Sequence, residues 1–331
     1  MGKTINWGII GIGKIAEKFA EDLATVKDAK LLAVASTSKE RAESFAQKHK
    51  AKFAFDSYEQ IFSAPGLDVV YIATPHSKHF KCTQLCLENK TAVLCEKPFA
   101  MNEDEVQKMI DLAKAQNTFL MEALWTRFMP NIKKVLELIE EGAIGQVKTL
   151  HADFGFIPPY FPERRVLNPY FGGGAFLDIG IYPAFLSLLI LGYPSSISAT
   201  HTKGPTGVDE TTTFFYKYDD RATASLNCTF AAHTQTEARI YGDKGHILMP
   251  TRFHDSQEIT LVPDEGEPVT YQFPRKTRGY NYEIEEVNRC LQSGLKESTL
   301  WPLKDSLRLI HLLDKTRERA GIRYEVDKTK N

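Results

Sequence analysis

Three side chains of this 331-residue chain have types and settings suited to proton transfer at an alcohol or carbonyl. Lys97 stands in Glu96-Lys97-Pro98, directly after the apolar run Ala92 to Cys95, which reads as a strand. A lysine at the carboxyl end of a parallel strand sits where open α/β sheets bind ligands. Its ammonium can hydrogen-bond a substrate hydroxyl there and lower the pKa of a nearby acid, while Pro98 restricts Lys97 to an extended backbone that aims it. Asp178 and Tyr182 stand four residues apart after Gly172-Gly173-Gly174, so on a helix they share one face, and the glycines let something approach closely. A phenol near an ammonium can donate a proton to a carbonyl or take one from an alcohol, with Asp178 orienting the participants. The plainer alternatives are an exposed loop lysine, a core tyrosine and an aspartate on a helix turn. Pro183 is awkward inside a helix and signals a kink or a late helix start.

Such groups need a partner that carries the oxidation or reduction, and the start of the chain offers a place for one. A strand at Ile5 to Ile10 runs into Gly11-Ile12-Gly13-Lys14-Ile15-Ala16 and then a helix. This is the layout of a dinucleotide site: glycine lets the backbone approach a pyrophosphate, and the helix N-terminus offers it unpaired N–H groups. Ala16 in place of the last glycine is small enough for helix–strand packing. A tight strand–helix turn without a ligand is the alternative. The end of the second strand reads Ala35-Ser36-Thr37-Ser38, with hydroxyls where an NAD site carries a carboxylate, and Arg41 follows within one helical turn. A neutral to basic pocket of Ser36, Thr37 and Arg41 favours the 2′-phosphate of NADP, with NAD as the alternative.

Up to about residue 123, β-branched runs at 5–10, 31–36, 69–73, 92–95 and 119–121 alternate with helical stretches at 14–24, 39–49, 77–88 and 103–115. That pattern predicts a doubly wound parallel sheet, a Rossmann domain over residues 1–123. Beyond a helix at 130–141, β-type runs at 195–202, 211–218, 222–230, 236–241 and 258–262 follow without intervening helices, and helices at 281–293 and 303–319 close the chain. Residues 124–331 therefore read as an α+β domain with a large, mostly antiparallel open sheet. The length favours two domains, with a cleft between them as the natural ligand site.

Lys and Arg total 41 against 42 Asp and Glu, a formal net charge of −1, which gives no broad field for nucleic acid. The five cysteines form no CxxC pair and read as reduced, mostly buried thiols; no zinc site or disulfide framework is expected. No uninterrupted apolar run approaches the roughly 20 residues that span a bilayer, and the cytoplasm is the expected location. Met1-Gly2 hints at myristoylation, but Asn6 stands where that pattern wants Ser or Thr.

Taken together, Gly11-Ile12-Gly13, Glu96-Lys97-Pro98 and the stretch from Gly172 through Asp178 to Tyr182 resemble the glucose-fructose oxidoreductase and inositol dehydrogenase family (Gfo/Idh/MocA), over nearly the whole chain. Segments 94–98, 121–128 and 177–182 are most similar to a branch of that family that oxidises cyclic trans-diols and D-xylose with NADP. The resemblance implies hydride transfer between NADP and a CH–OH group of a sugar, polyol or cyclic diol, with Lys97, Asp178 and Tyr182 as catalytic residues. Tyrosine at 182 argues against an inositol dehydrogenase, which carries histidine there. The resemblance further implies that Gly11, Ile12, Gly13, Lys14 and Ile15 line the dinucleotide. Thr74, Pro75, His76 and His79 would form a loop along its ribose and nicotinamide, with Glu96, Lys97, Trp125 and Arg127 close by and Arg165 reaching it. His76 and His79 have no acidic or cysteine partner at ligand spacing, so no metal is expected. Dimerisation through the C-terminal sheet is implied as well. Phe154 and Phe156 are left to sheet packing. The rivals are a cofactor-sensing regulator of the same fold and a reductase resembling biliverdin reductase.

Overall fold

The computed structural model describes residues 3–330; Met1-Gly2 and Asn331 lie outside the described residues. Short apolar runs at the start of the chain form β1 (Ile5–Ile10), β2 (Ala29–Ala35), β3 (Phe53–Phe55), β4 (Val69–Ile72), β5 (Ala92–Glu96) and β6 (Leu120–Ala123). They pair in parallel in the order β3-β2-β1-β4-β5-β6. This is the doubly wound order of a Rossmann sheet, whose reversal between β1 and β4 opens a crevice at the carboxyl ends of those strands. The connections carry α1 (Lys14–Leu23), α2 (Lys39–His49), α3 (His79–Glu88) and α4 (Glu103–Ala115). Local chemistry sets these helix starts. Ser38 accepts from the Arg41 amide (3.4 Å), and Asn102 accepts from the Glu105 amide (3.0 Å) while Glu105 reaches back to the Met101 amide (3.1 Å). Such caps contribute about 1 kcal/mol each. β3 is absent from the strands expected, because three half-buried residues carry no readable period.

The later part of the chain holds α5 (Pro130–Glu140), β7 (Val147–Gly155), α6 (Ile181–Leu191), β8 (Ser196–Lys203), β9 (Asp209–Tyr218), β10 (Ala222–Thr229), β11 (Ala238–Gly242), β12 (Gly245–Met249), β13 (Glu258–Pro263) and β14 (Val269–Gln272). The eight strands form a sheet in the order β14-β13-β12-β11-β7-β10-β9-β8, antiparallel throughout except for the β7–β10 pair. β7, β12 and β14 are not among the strands read from the pattern. β12 follows β11 after only Asp243-Lys244, and the exposed β14 has no buried face to give it alternation. α6 packs on β7 and β10. The run Pro169–Leu191 is long and apolar enough to cross a membrane, yet 89% of its most apolar window is buried, as in a core helix. Pro183 stands in α6 directly after the π turn Phe176–Gly180, so its missing N–H falls where the regular ladder of helical hydrogen bonds is already interrupted.

Compact packing divides the chain into Met1–Phe128 with Arg275–Leu307, and Met129–Pro274 with Arg308–Asn331. The sequence reading assigns all residues after 123 to the second domain; the structure returns 275–307, with α7 (Asn281–Gln292), to the first. The cause is specific bonding. Buried Asp22 accepts from the amides of Arg278 (3.0 Å) and Tyr280 (2.8 Å), the Trp7 indole donates to Asn288 (3.1 Å), and Trp125 stacks on Tyr280 at 4.7 Å. The division falls inside the last long helix, α8 (Leu303–Ala320).

Candidate active site

Gly11 ends β1 with φ +86°, and its amide donates to the Ala35 carbonyl at 3.1 Å. A Cβ there would lie 2.9 Å from Thr74 Cγ2 and 3.0 Å from the Ala73 backbone, so only glycine fits. Gly13 differs: nothing lies within 4 Å of a Cβ built on it, and it stands at the N-terminus of α1 with no side chain capping that end. Open space in front of uncapped helix amides fits the pyrophosphate of a dinucleotide. Ala16 is fully buried, Ile12 is buried, Ile15 half-buried and Lys14 exposed. The Arg41 guanidinium donates to the Ile12 carbonyl, tying α2 to the turn. Ser36 is buried with its hydroxyl accepting from the Ser38 amide (3.3 Å), whereas Thr37 is exposed.

After β4 the chain makes the loop Thr74-Pro75-His76, with Thr74 and His76 buried. His79 is completely buried at the start of α3. Its Nδ1 lies 2.8 Å from the Pro98 carbonyl and its Nε2 2.9 Å from the Thr74 carbonyl, which makes it a strut between the two loops. Lys97, half-buried, follows β5, and its bond to Pro98 is cis. Glu96 is turned inward: it accepts from the Tyr71 hydroxyl and from the Lys97 amide at 3.1 Å. Buried Glu122 holds the next residue, accepting from the Phe99 amide (3.2 Å) and the Trp301 indole (3.1 Å), and burial pushes its carboxyl up to about 7. Glu283 on α7 is completely buried with neither carboxyl oxygen hydrogen-bonded; burial, then the charges of Glu96 and Asp22, push it well above the carboxylate range. Burial likewise disfavours the charge on Arg127, against the pull of Asp305 and Glu286. Glu122 and Glu283 were invisible in the sequence because they reach the Lys97 turn from distant segments.

In the second unit, Gly174 has φ +129°, and a Cβ there would come within 2.1 Å of Asp209 Oδ1. What approaches Gly174 so closely is thus Asp209 of the protein itself. Asp209 accepts from the Phe176 amide at 2.6 Å, and burial pushes its carboxyl up to about 6. Phe176–Gly180 is a single π-helical turn leading into α6, where the sequence implied regular α-helix. It carries the buried Asp178, and Tyr182 follows, also buried. Arg165, expected to reach the cofactor, has its Nη1 2.9 Å from Asp178 Oδ1. Phe154, left to sheet packing, lies 5.5 Å from the Tyr182 ring, and His254 lies 4.8 Å from it. No spacing in the sequence connects positions 154, 182 and 254. Lys97 belongs to the first unit, Asp178 and Tyr182 to the second. Among the described residues no group of three His, Cys, Asp or Glu is placed to hold a metal.

The model described as "Oxidoreductase family, NAD-binding Rossmann fold" matches residues 5–124, and that of the GFO/IDH/MocA C-terminal domain matches residues 132–248. The chain belongs to the Gfo/Idh/MocA family of oxidoreductases. It is 38% identical to trans-1,2-dihydrobenzene-1,2-diol dehydrogenase of Danio rerio and 34% to that of Homo sapiens, each over 98% of this chain and 99% of the relative. Its fold is shared with aldose-aldose oxidoreductase from Caulobacter crescentus complexed with glycerol (TM-score 0.88, 22% identity, 96% of this chain and 98% of that one). It is also shared with KijD10, a 3-ketoreductase from Actinomadura kijaniata in complex with NADP and TDP-benzene (TM-score 0.85, 23% identity, 96% and 98%). The open amides at Gly13 and the family agree on a nicotinamide dinucleotide as cofactor.

Proposed function

We propose that the chain is an NADP-dependent dehydrogenase of cyclic trans-diols and related sugar or polyol substrates, with Lys97, Asp178 and Tyr182 as its catalytic residues. The observation that carries this reading is the 38% identity over nearly the full length to a trans-diol dehydrogenase, in a chain that carries Lys97, Asp178 and Tyr182. When bound, the nicotinamide supplies hydride acceptor and donor chemistry. The protein supplies geometry and proton handling: Tyr182 takes the proton from the reacting hydroxyl, Lys97 holds that oxygen by a charge-assisted hydrogen bond, and Asp178, fixed by Arg165, orients the site. For the return reaction Tyr182 donates the proton to the carbonyl. NADP is favoured over NAD because the end of β2 offers Ser36, Thr37 and Arg41 and no carboxylate to repel a 2′-phosphate.

Tyr182→Phe is expected to bind NADPH normally and to lose at least about 100-fold in maximal rate on trans-1,2-dihydrobenzene-1,2-diol; near-normal turnover would sink the assignment. Fluorescence titration showing NADH bound more tightly than NADPH would overturn the cofactor preference. The proposed assembly is a homodimer through the face of the eight-stranded sheet opposite α6, which presents Phe215 at 41% exposure between Ser198 and Ser225 of the flanking strands. Sedimentation of the wild type against Phe215→Asp checks it. Five buried free thiols suit a reducing compartment, and we place the enzyme in the cytoplasm.

A further inference from the structure

The second unit brings a histidine to Tyr182 that the reaction above leaves without a role. His254 lies after β12 and is 2% exposed. Its imidazole stacks on Phe154, with ring centroids 4.6 Å apart and planes 18° from parallel, and lies against Tyr182 at 4.8 Å and 36°. Its Nε2 is 3.7 Å from Oδ1 of Asp255, which is itself buried. Asp255 in turn is gripped by Arg252 through Nε and Nη2, both at 2.9 Å. Asn131 on α5 fixes the backbone just before His254, donating to the Phe253 carbonyl at 3.0 Å.

Packing alone does not call for this arrangement. A phenylalanine at 254 would fill the same slot between Phe154 and Tyr182 without desolvating an imidazole, and would leave Asp255 no second cationic partner to be buried with. What an imidazole adds to a stacked ring is the capacity to carry a charge, and its Nε2 has the Asp255 carboxylate beside it. Other charged and titratable groups stand on the elements around it. On its own stretch these are Asp255 and Arg252; on α6, Tyr182; ahead of α6, Asp178, which is paired with Arg165. On β7, Asp153 is turned to the amides of Thr236 and Glu237 (3.1 and 3.4 Å).

We infer that His254, held by Asp255, is a positioning residue for Tyr182: its imidazolium keeps the phenol ring in place and eases loss of the phenolic proton, so that Tyr182 can accept the substrate's proton near neutral pH. This rests on the reading of Tyr182 as the acid–base group. An opposite charge within about 4–6 Å moves a titration by roughly 1–3 pH units, and Asp255 offsets part of that effect. A shift of about one pH unit is therefore expected.

The test is the pH dependence of kcat for oxidation of trans-1,2-dihydrobenzene-1,2-diol by NADP in the full-length enzyme. His254→Phe, which keeps the stack, should move the acid limb up by about one pH unit, costing about 10-fold at pH 7 with recovery by pH 9, while NADPH binding and KM change less than about 2-fold. His254→Gln carries the same expectation if the phenylalanine variant does not fold. A rate loss equal at every pH, or no loss, would overturn the proposal while leaving Tyr182 in place. Normal turnover by Tyr182→Phe would instead remove the reading beneath it, and the proposal with it.

Discussion

The Arg165 guanidinium and the Asp178 carboxylate form an ion pair of 2.9 Å at the π turn that precedes Tyr182. The Asp178 side chain is 9% exposed and that of Arg165 37%, so removing the arginine takes a counter-charge from a carboxylate that water reaches poorly. Arg165→Met is expected to lower kcat/KM about 10-fold and to change NADPH affinity less than 2-fold, since the loss falls on the residue that orients the reactants. Steady-state kinetics alongside fluorescence titration separate the outcomes. Weakened NADPH binding with kcat preserved would return Arg165 to the cofactor.

The two glycines of the phosphate turn should fail differently when each becomes alanine. At Gly11 a Cβ meets Thr74 and Ala73 at φ +86°, so Gly11→Ala strains the apoprotein by about 1–3 kcal/mol and lowers its melting temperature. At Gly13 a Cβ meets nothing within 4 Å. Gly13→Ala should therefore melt like the wild type within about 0.5 kcal/mol and yet bind NADPH at least 10-fold more weakly, because the added methyl enters the space assigned to the pyrophosphate. Equal affinity in Gly13→Ala and wild type would move the dinucleotide away from this turn.

The parts of this architecture legible in the sequence are those carried by local signals. The alternation of apolar runs and capped helices placed β1, α2 and α4 to the residue, because Ser38 and Asn102 are side-chain caps and Gly11 is a turn that only glycine can make. Lys97 was legible through its place after β5. The environment of Tyr182 was not: Phe154, His254 and Asp255 come from β7 and from the stretch after β12, and only the pairing of β7 with β11, and β11 with β12, brings them near α6. The same holds for Arg275–Leu307, whose return to the first unit depends on Asp22, Asn288 and Tyr280, none of which announces its partner. The glycine run was legible as a place of close approach but not as to the partner, since the carboxylate that meets Gly174 is that of Asp209 on β9, far along the chain.

Trp125 offers a test of that return. The indole is 6% exposed and stacks on Tyr280 at 4.7 Å with planes 19° from parallel, within the first unit. Trp125→Ala is expected to destabilise by about 3–5 kcal/mol, the usual cost of deleting a buried indole. Trp125→Phe, which retains a stacked ring, should lose less than half of that. If urea unfolding shows Trp125→Ala within 1 kcal/mol of wild type, the stack does not hold the returning segment.

Asp209 sits beneath Gly174 and accepts from the Phe176 amide, and burial raises its carboxyl from the ordinary 3.8 to about 6. The folded state therefore holds a proton that the unfolded chain has released between those two values. Stability contributed by this group falls as pH rises from about 4 to 6 and is flat above, by up to about 3 kcal/mol (2.2 pH units at about 1.36 kcal/mol each). Asp209→Asn keeps an acceptor for the Phe176 amide and an amide group facing Tyr324, and cannot ionise. Urea midpoints should make the variant and wild type equal near pH 4, with the variant more stable by an amount that grows to about 3 kcal/mol by pH 6.5. Glu122, raised to about 7, titrates over part of the same range but is common to both proteins and cancels in the difference. A difference that does not change with pH would show that Asp209 ionises in the folded protein as it does in the unfolded chain, and the helix start before Asp178 and Tyr182 would then rest on an ordinary carboxylate.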